Sequence, residues 1–226
     1  MFCLQKVIKS KYHQYHLKYE IWQFNRYRKL YDTFSFDHKK RTANKWLKQF
    51  PEQAHFNYTP IKHWLDTIVP KPVSVIEIGG WRGDLAELAL SSFENIELWH
   101  NYDLISLNGH QKCNDSRYKL ISLEDDLWHL SLSSDYNALI ATHVIEHLKW
   151  AELIELIKWI PPGIRTVLLE APLPASDEDI NWKGDHSSHI LEKGWEQVIL
   201  LMERHMFSVD YRDGNTYIFK RSDSNV

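Results

Sequence analysis

Two cysteines in 226 residues, Cys3 and Cys113, leave no disulfide framework and no CxxC pair for a structural metal. That usage fits a reducing compartment. No run of about 18 apolar residues exists, so no membrane-spanning helix is expected. Residues 1–10 lack the apolar centre of a secretory signal. These absences together predict a soluble, cytoplasmic protein. Internal repeats and low-complexity tracts are missing too, which sets aside solenoid and tract-like architectures.

What is present is uneven. The net charge is -3, but residues 1–50 carry twelve Lys/Arg against three Asp/Glu, while the remainder carries fifteen against twenty-seven. The first fifty residues are also aromatic. Tyr12, Tyr15, Tyr19 and Trp22 are spaced 3, 4 and 3, a helical stripe. Residues 1–58 therefore read as a basic, aromatic, helical arm. It could pack on the rest of the chain, cap a substrate site, or meet an anionic partner. Residues 59–226 read as one domain of a size that can bury a real core.

Within that domain Thr59-Pro60 opens a helix whose apolar face is Ile61, Trp64, Leu65 and Ile68, and Pro70-Lys71-Pro72 stops it. From residue 73 the pattern alternates. Strands are predicted over 73–78, 96–102, 118–123, 136–142 and 164–170. Helices are predicted over 84–90, 148–160 and 192–205. Strands 207–211 and 216–220 flank Asp213-Gly214-Asn215, a hairpin turn. Alternating strands and helices predict a mostly parallel sheet covered on both faces, and the hairpin adds an antiparallel edge.

The most informative stretch is Val75-Ile76-Glu77-Ile78-Gly79-Gly80-Trp81-Arg82-Gly83-Asp84: strand, glycine-rich turn, helix. Such a turn lets a ligand approach bare backbone and aims helix N–H groups at it. Asp103, twenty residues past Gly83 and ending the next strand, stands where an acid grips ribose hydroxyls in nucleotide folds. Asn101 and Tyr102 compete with it for that place. The dinucleotide fingerprint GxGxxG fails, because from Gly79 its later glycines fall on Trp81 and Asp84. Glu77 is expected to serve the ligand or to tie the loop by accepting backbone N–H groups. Asp84 is expected to cap the following helix.

These residues resemble a known family. Glu77-Ile78-Gly79-Gly80-Trp81-Arg82-Gly83 is similar to the ExGxGxG motif of class I S-adenosylmethionine-dependent methyltransferases, with Trp81 in the place of the middle glycine. Asp103 matches the family's ribose-binding acid. Asp126-Leu127-Trp128-His129-Leu130 resembles the D-x-x-x-L step beside the adenine, and Tyr136–Leu148 resembles the segment that closes the fourth strand. The likeness covers roughly residues 70–220. It implies an α/β, doubly wound, Rossmann-like sheet of seven strands with a C-terminal antiparallel hairpin and an N-terminal helical arm. It implies S-adenosylmethionine as cofactor, held by Glu77, Gly79, Gly80, Trp81, Gly83, Asp103, Leu104, Asp125, Asp126, Thr142 and His143.

The histidines carry the remaining chemistry. His143-Val144-Ile145-Glu146-His147 fits H-x-x-E-H, but the zinc-protease motif needs both histidines on one helix, and here the segment spans a strand-to-helix turn. Hydroxyl-directed methyltransferases with E-x-x-E-H at this turn bind a divalent ion, so His143, Glu146 and His147 are a weaker, metal-ligating alternative to a metal-free site. Residues 171–194 form a long loop at the carboxyl edge of the sheet, with Asp177, Glu178, Asp179, Trp182, Asp185, His186 and His189, and read as a lid or substrate loop. Histidine is the natural base for a hydroxyl acceptor. His186, His189 and His147 are the catalytic candidates.

The resulting expectation is methyl transfer to an oxygen or nitrogen of a small-molecule or glycan acceptor. Its alternatives are a non-catalytic binding module of the same fold, or an RNA methyltransferase with metal assistance. Aminopropyl transfer is the remotest rival. Acid in the substrate loop argues against long nucleic acid, while the basic arm argues for it.

Overall fold

The computed structural model describes residues 58–68, 72–104, 111–132, 135–175, 191 and 193–222. The basic arm and the loop histidines His186 and His189 lie outside the described residues. Helix α1 (Tyr58–Ile68) precedes the alternating core: β1 (Val73–Ile78), α2 (Asp84–Ser92), β2 (Ile96–Asp103), β3 (Tyr118–Ser122), β4 (Ala138–Thr142), α3 (Trp150–Trp159), β5 (Thr166–Glu170), α4 (Trp195–Arg204), β6 (Phe207–Asp213) and β7 (Thr216–Arg221). Short 3-10 turns cover Leu127–His129 and Ile145–His147.

The seven strands form one sheet in the order β3-β2-β1-β4-β5-β7-β6. All pairs from β3 to β5 are parallel, and β7 runs antiparallel to both β5 and β6. β-branched and aliphatic residues fill β1, β4 and β5 because strands buried on both faces have no solvent side to supply with polar groups. Alternate residues therefore feed two cores. Val75, Trp99, Ala138, Ile140, Leu168 and Ile218 face α1 and α2, where Ile61, Trp64, Leu65, Leu85 and Ala89 are buried. Ile76, Leu139, Val167, Leu169 and Phe219 face α3 and α4, with Leu153, Leu156, Trp195 and Val198. Three of the four apolar positions expected on α1 are fully buried; the side chain of Ile68 lies outside the described residues. The Trp64 indole also donates to Thr166 Oγ1 at 3.0 Å, fastening α1 to β5.

One capping expectation is corrected. Gly83, with φ 81, is the residue before α2, and Asp84 is the first helical residue rather than its cap. The Asp84 carboxylate turns instead to Lys112 Nζ at 2.6 Å and to the Arg82 guanidinium at 3.4 Å. An acid there still suits the positive end of the helix. The topology reverses between β1 and β4, which go to opposite halves of the sheet. Crevices at such a reversal, outside the carboxyl ends of the strands, are where open α/β sheets bind ligands.

Candidate functional site

The crevice is built on the turn after β1. Gly79 N–H continues the ladder by donating to Tyr102 O at 2.9 Å, and the chain then leaves the sheet through Gly79 at φ 68 and Trp81 at φ 54. For tryptophan the left-handed region costs roughly 1–2 kcal/mol. The turn keeps it because β2 grips the loop from below. Asn101 Oδ1 accepts from Gly80 N–H at 3.0 Å, and Asn101 Nδ2 donates to Trp81 O at 3.2 Å and to the Tyr118 hydroxyl at 3.1 Å. Asp103 Oδ2 accepts from Trp81 N–H at 2.9 Å.

Asn101 is thus a loop clamp that sequence reasoning weighed only as a rival for the ribose position. Its signal was an amide inside a strand. A fully buried amide must find hydrogen-bond partners, and the glycine turn is where they are. The loop-tying alternative weighed for Glu77 falls on Asn101 and Asp103 instead. Glu77 lies one layer deeper and accepts from the Trp99 indole at 2.8 Å. Burial pushes its carboxyl up to about 8, against the Trp99 hydrogen bond and with added repulsion from Asp103 and Asp84. A Cβ at position 80 would stand 2.1 Å from Glu77 Cδ, so only glycine fits over this acid.

The second wall is the turn after β4. Val144 touches the first wall, since a Cβ on Gly79 would lie 2.5 Å from Val144 Cγ2. Thr142 ends β4. His143 follows at φ 53, with its backbone N–H donated to Glu170 O at 2.8 Å. The Nδ1 atom of His143 is 3.2 Å from Glu146 Oε1, and its Nε2 is 4.0 Å from Glu170 Oε1. His147 Nε2 is 4.0 Å from Glu146 Oε1. Glu146 is fully buried. The hydrogen bond that the ring donates to Glu146, with the charges of Glu146 and Glu170, raises His143 above the ordinary histidine value despite the opposing effect of burial. For Glu146, burial alone would raise the carboxyl, but the two histidines outweigh it and the net shift is downward. Leu191 donates its N–H to Glu146 O at 3.2 Å, which ties Leu191 to this turn.

The remaining expected residues flank these walls. Leu104 follows β2 and is partly buried, whereas Asp125 is exposed and hydrogen-bonded to His129 Nδ1 at 3.1 Å. Asp126 precedes the 3-10 turn that stands in for the D-x-x-x-L step. Among the described residues, Asp125, Asp126 and His129 are the one trio of such groups whose ligating atoms all lie within 4.8 Å of one another. His143, Glu146 and His147 gather around a single oxygen and do not make a second such trio.

A nucleoside cofactor fits this crevice on two observations. The loop is as bare as a backbone can be at Gly79 and Gly80. The indole Nε1 of Trp81 is buried with no acceptor among the described residues, a donor of the kind a bound ligand satisfies.

No family model matches the chain, and no curated protein matches it. Solved structures do. Magnesium protoporphyrin IX methyltransferase from Synechocystis PCC 6803, solved with S-adenosylhomocysteine bound, superposes with a TM-score of 0.54 at 13% identity, over 82% of this chain and 97% of that one. A candidate O-methyltransferase from Nostoc punctiforme PCC 73102 gives 0.51 at 13% identity, over 72% of this chain and 56% of that one. No described helix is long and apolar enough to cross a membrane. Strand order, the antiparallel last hairpin and these superpositions agree that the chain has the fold of the class I S-adenosylmethionine-dependent methyltransferases.

Proposed function

We propose that this chain is an S-adenosylmethionine-dependent methyltransferase that transfers a methyl group to an oxygen or nitrogen of a small-molecule or sugar-like acceptor. The observation that carries the reading is the clamped turn: a Gly79-Gly80-Trp81 loop, left-handed at Gly79 and Trp81, held by Asn101 and Asp103 at the reversal point of the sheet. The methyl of the cofactor is already activated by its sulfonium, so the protein's task is to hold two partners in line and exclude water. Gly79, Gly80, Trp81 and Gly83 supply bare backbone and the indole donor. Asp103 serves the ribose, with Glu77 supporting the loop from below. Leu104, Asp125 and Asp126 are assigned to the adenine side, and Thr142 and His143 to lining the cofactor. His147, together with His186 and His189 of the substrate loop, is assigned to the acceptor side.

Calorimetry with S-adenosylhomocysteine tests the reading. The full chain is expected to bind it well below millimolar. Asp103→Ala is expected to weaken binding by about one to two powers of ten, the loss of a charged hydrogen bond worth about 1.5–3 kcal/mol. No heat at millimolar ligand overturns the proposal.

A further inference from the structure

Trp81 carries two costs that glycine at the same position would not. It sits at φ 54, in the left-handed region that bulky side chains seldom adopt. Its indole Nε1 is buried and has no acceptor among the described residues. A buried donor without a partner has lost its hydrogen bond to water and gained nothing in return. The backbone cannot relax, because both of its polar groups are pinned. Asp103 Oδ2 accepts from Trp81 N–H at 2.9 Å, and Asn101 Nδ2 donates to Trp81 O at 3.2 Å. Strain and an unsatisfied donor at one residue of the crevice point to a ligand rather than to packing. The turn offers an anion little else. The N–H groups of Gly79, Gly80, Trp81 and Gly83 are already donated, to Tyr102 O, Asn101 Oδ1, Asp103 Oδ2 and Gly80 O. The two cations beside it, Arg82 and Lys112, are turned to Asp84. Glu77, beneath Gly80, is held protonated at neutral pH and sets no charge against an anion there. The indole N–H is a donor that the fold itself leaves unused.

We infer that the indole N–H of Trp81 binds the amino-acid carboxylate of the methyl donor, and so selects nucleosides that keep that carboxylate. The inference rests on the methyl-donor reading and deepens it, from a turn that admits a nucleoside to a contact that reads the end of its side chain. The two ends of the ligand make opposite demands. Ribose hydroxyls can donate, and the acid Asp103 suits them. A carboxylate only accepts, and it needs an N–H. A hydrogen bond to a charged acceptor is about twice as strong as a neutral one. The arriving carboxylate therefore offsets the orphaned donor, which glycine at this position could not supply. The same contact selects against the decarboxylated nucleoside that aminopropyl transfer uses, the remotest rival read from the sequence.

The test is calorimetry on the full chain with three probes. They are S-adenosylhomocysteine, its decarboxylated analogue, and methylthioadenosine, which keeps adenine and ribose but lacks the whole amino-acid end. Trp81→Phe keeps an aromatic ring and removes the N–H. Trp81→Gly places at φ 54 the residue that the turn suits best, and so guards against a folding defect. Wild type is expected to bind S-adenosylhomocysteine about 10- to 100-fold tighter than the decarboxylated analogue, the range of one hydrogen bond to a charged group. Both variants should erase most of that margin, and Trp81→Phe should leave methylthioadenosine affinity within about threefold of wild type. By NMR, S-adenosylhomocysteine should shift the one indole N–H resonance that Trp81→Phe deletes, and methylthioadenosine should leave it in place. An equal loss for all three probes would make the indole a packing or nucleoside contact and overturn the inference. So would a margin that survives in both variants. If wild type binds none of the probes, the methyl-donor reading fails and takes the inference with it. If wild type binds all three without regard to the carboxylate, that reading stands and the inference alone falls.

Discussion

The Glu77 carboxyl stands far from its ordinary state. Burial raises its carboxyl from 4.5 to about 8, so at neutral pH it is held protonated under the glycine turn. In acid below about 4.5 the group carries its proton both folded and unfolded. Between there and about 8 it ionises in the unfolded chain alone, so the unfolded state binds fewer protons and stability falls as pH rises. Above about 8 the effect levels off. Glu77→Gln keeps the acceptor for Trp99 Nε1 and cannot ionise. Relative to wild type, the variant should therefore gain stability between pH 5 and pH 8, with a limiting slope of about 1.4 kcal/mol per pH unit. Urea unfolding of both chains at several pH values measures the difference and cancels the titrations they share. A constant difference would mean that Glu77 ionises normally in the folded chain.

Among the elements, α1 shows how much depends on one polar contact inside an apolar face. Ile61, Trp64 and Leu65 are buried, but only Trp64 also donates a hydrogen bond, to Thr166 in β5. Trp64→Phe keeps most of the apolar area and strands a buried hydroxyl. It should cost about 1–3 kcal/mol in urea unfolding, and Thr166→Val should cost less on that background than alone. The sequence exposed these elements well where periodicity is local. The seven strands and the helices of the alternating region lie near their expected positions. Ends were less legible. The helix expected from residue 192 begins at Trp195, after Gly194, and the helix expected from 148 begins at Trp150 because Ile145–His147 forms a separate 3-10 turn. The Asn101 clamp was hidden for a different reason. Its partners in the glycine turn lie 20 and 21 residues away and become neighbours only through the parallel register that sets Glu77 beside Asn101 and Ile78 beside Tyr102.

At the scale of the whole molecule, the two halves of the sheet touch at the crevice in a contact that no local pattern encodes. Gly79 closes β1 and Val144 follows β4, and the missing Cβ of the glycine leaves the space that the Val144 methyl occupies. Two separate costs oppose a side chain at position 79. One is conformational, since φ is 68 and an L-residue there loses about 1 kcal/mol or more. The other is steric, since the added carbon would lie 2.5 Å from Val144 Cγ2, closer than packed carbons come. These costs separate in a double-mutant cycle. Gly79→Ala should pay both. Val144→Ala alone should lose only a modest apolar contact. The double variant should recover the steric part and keep the conformational part, a coupling within the range of about 0.5–3 kcal/mol found for touching residues. S-adenosylhomocysteine affinity should follow the same arithmetic, because a turn pushed off Val144 displaces both the bare backbone of the first wall and His143 on the second. Strict additivity in stability would show that the walls do not touch in solution, and the crevice would then be two independent turns rather than one site.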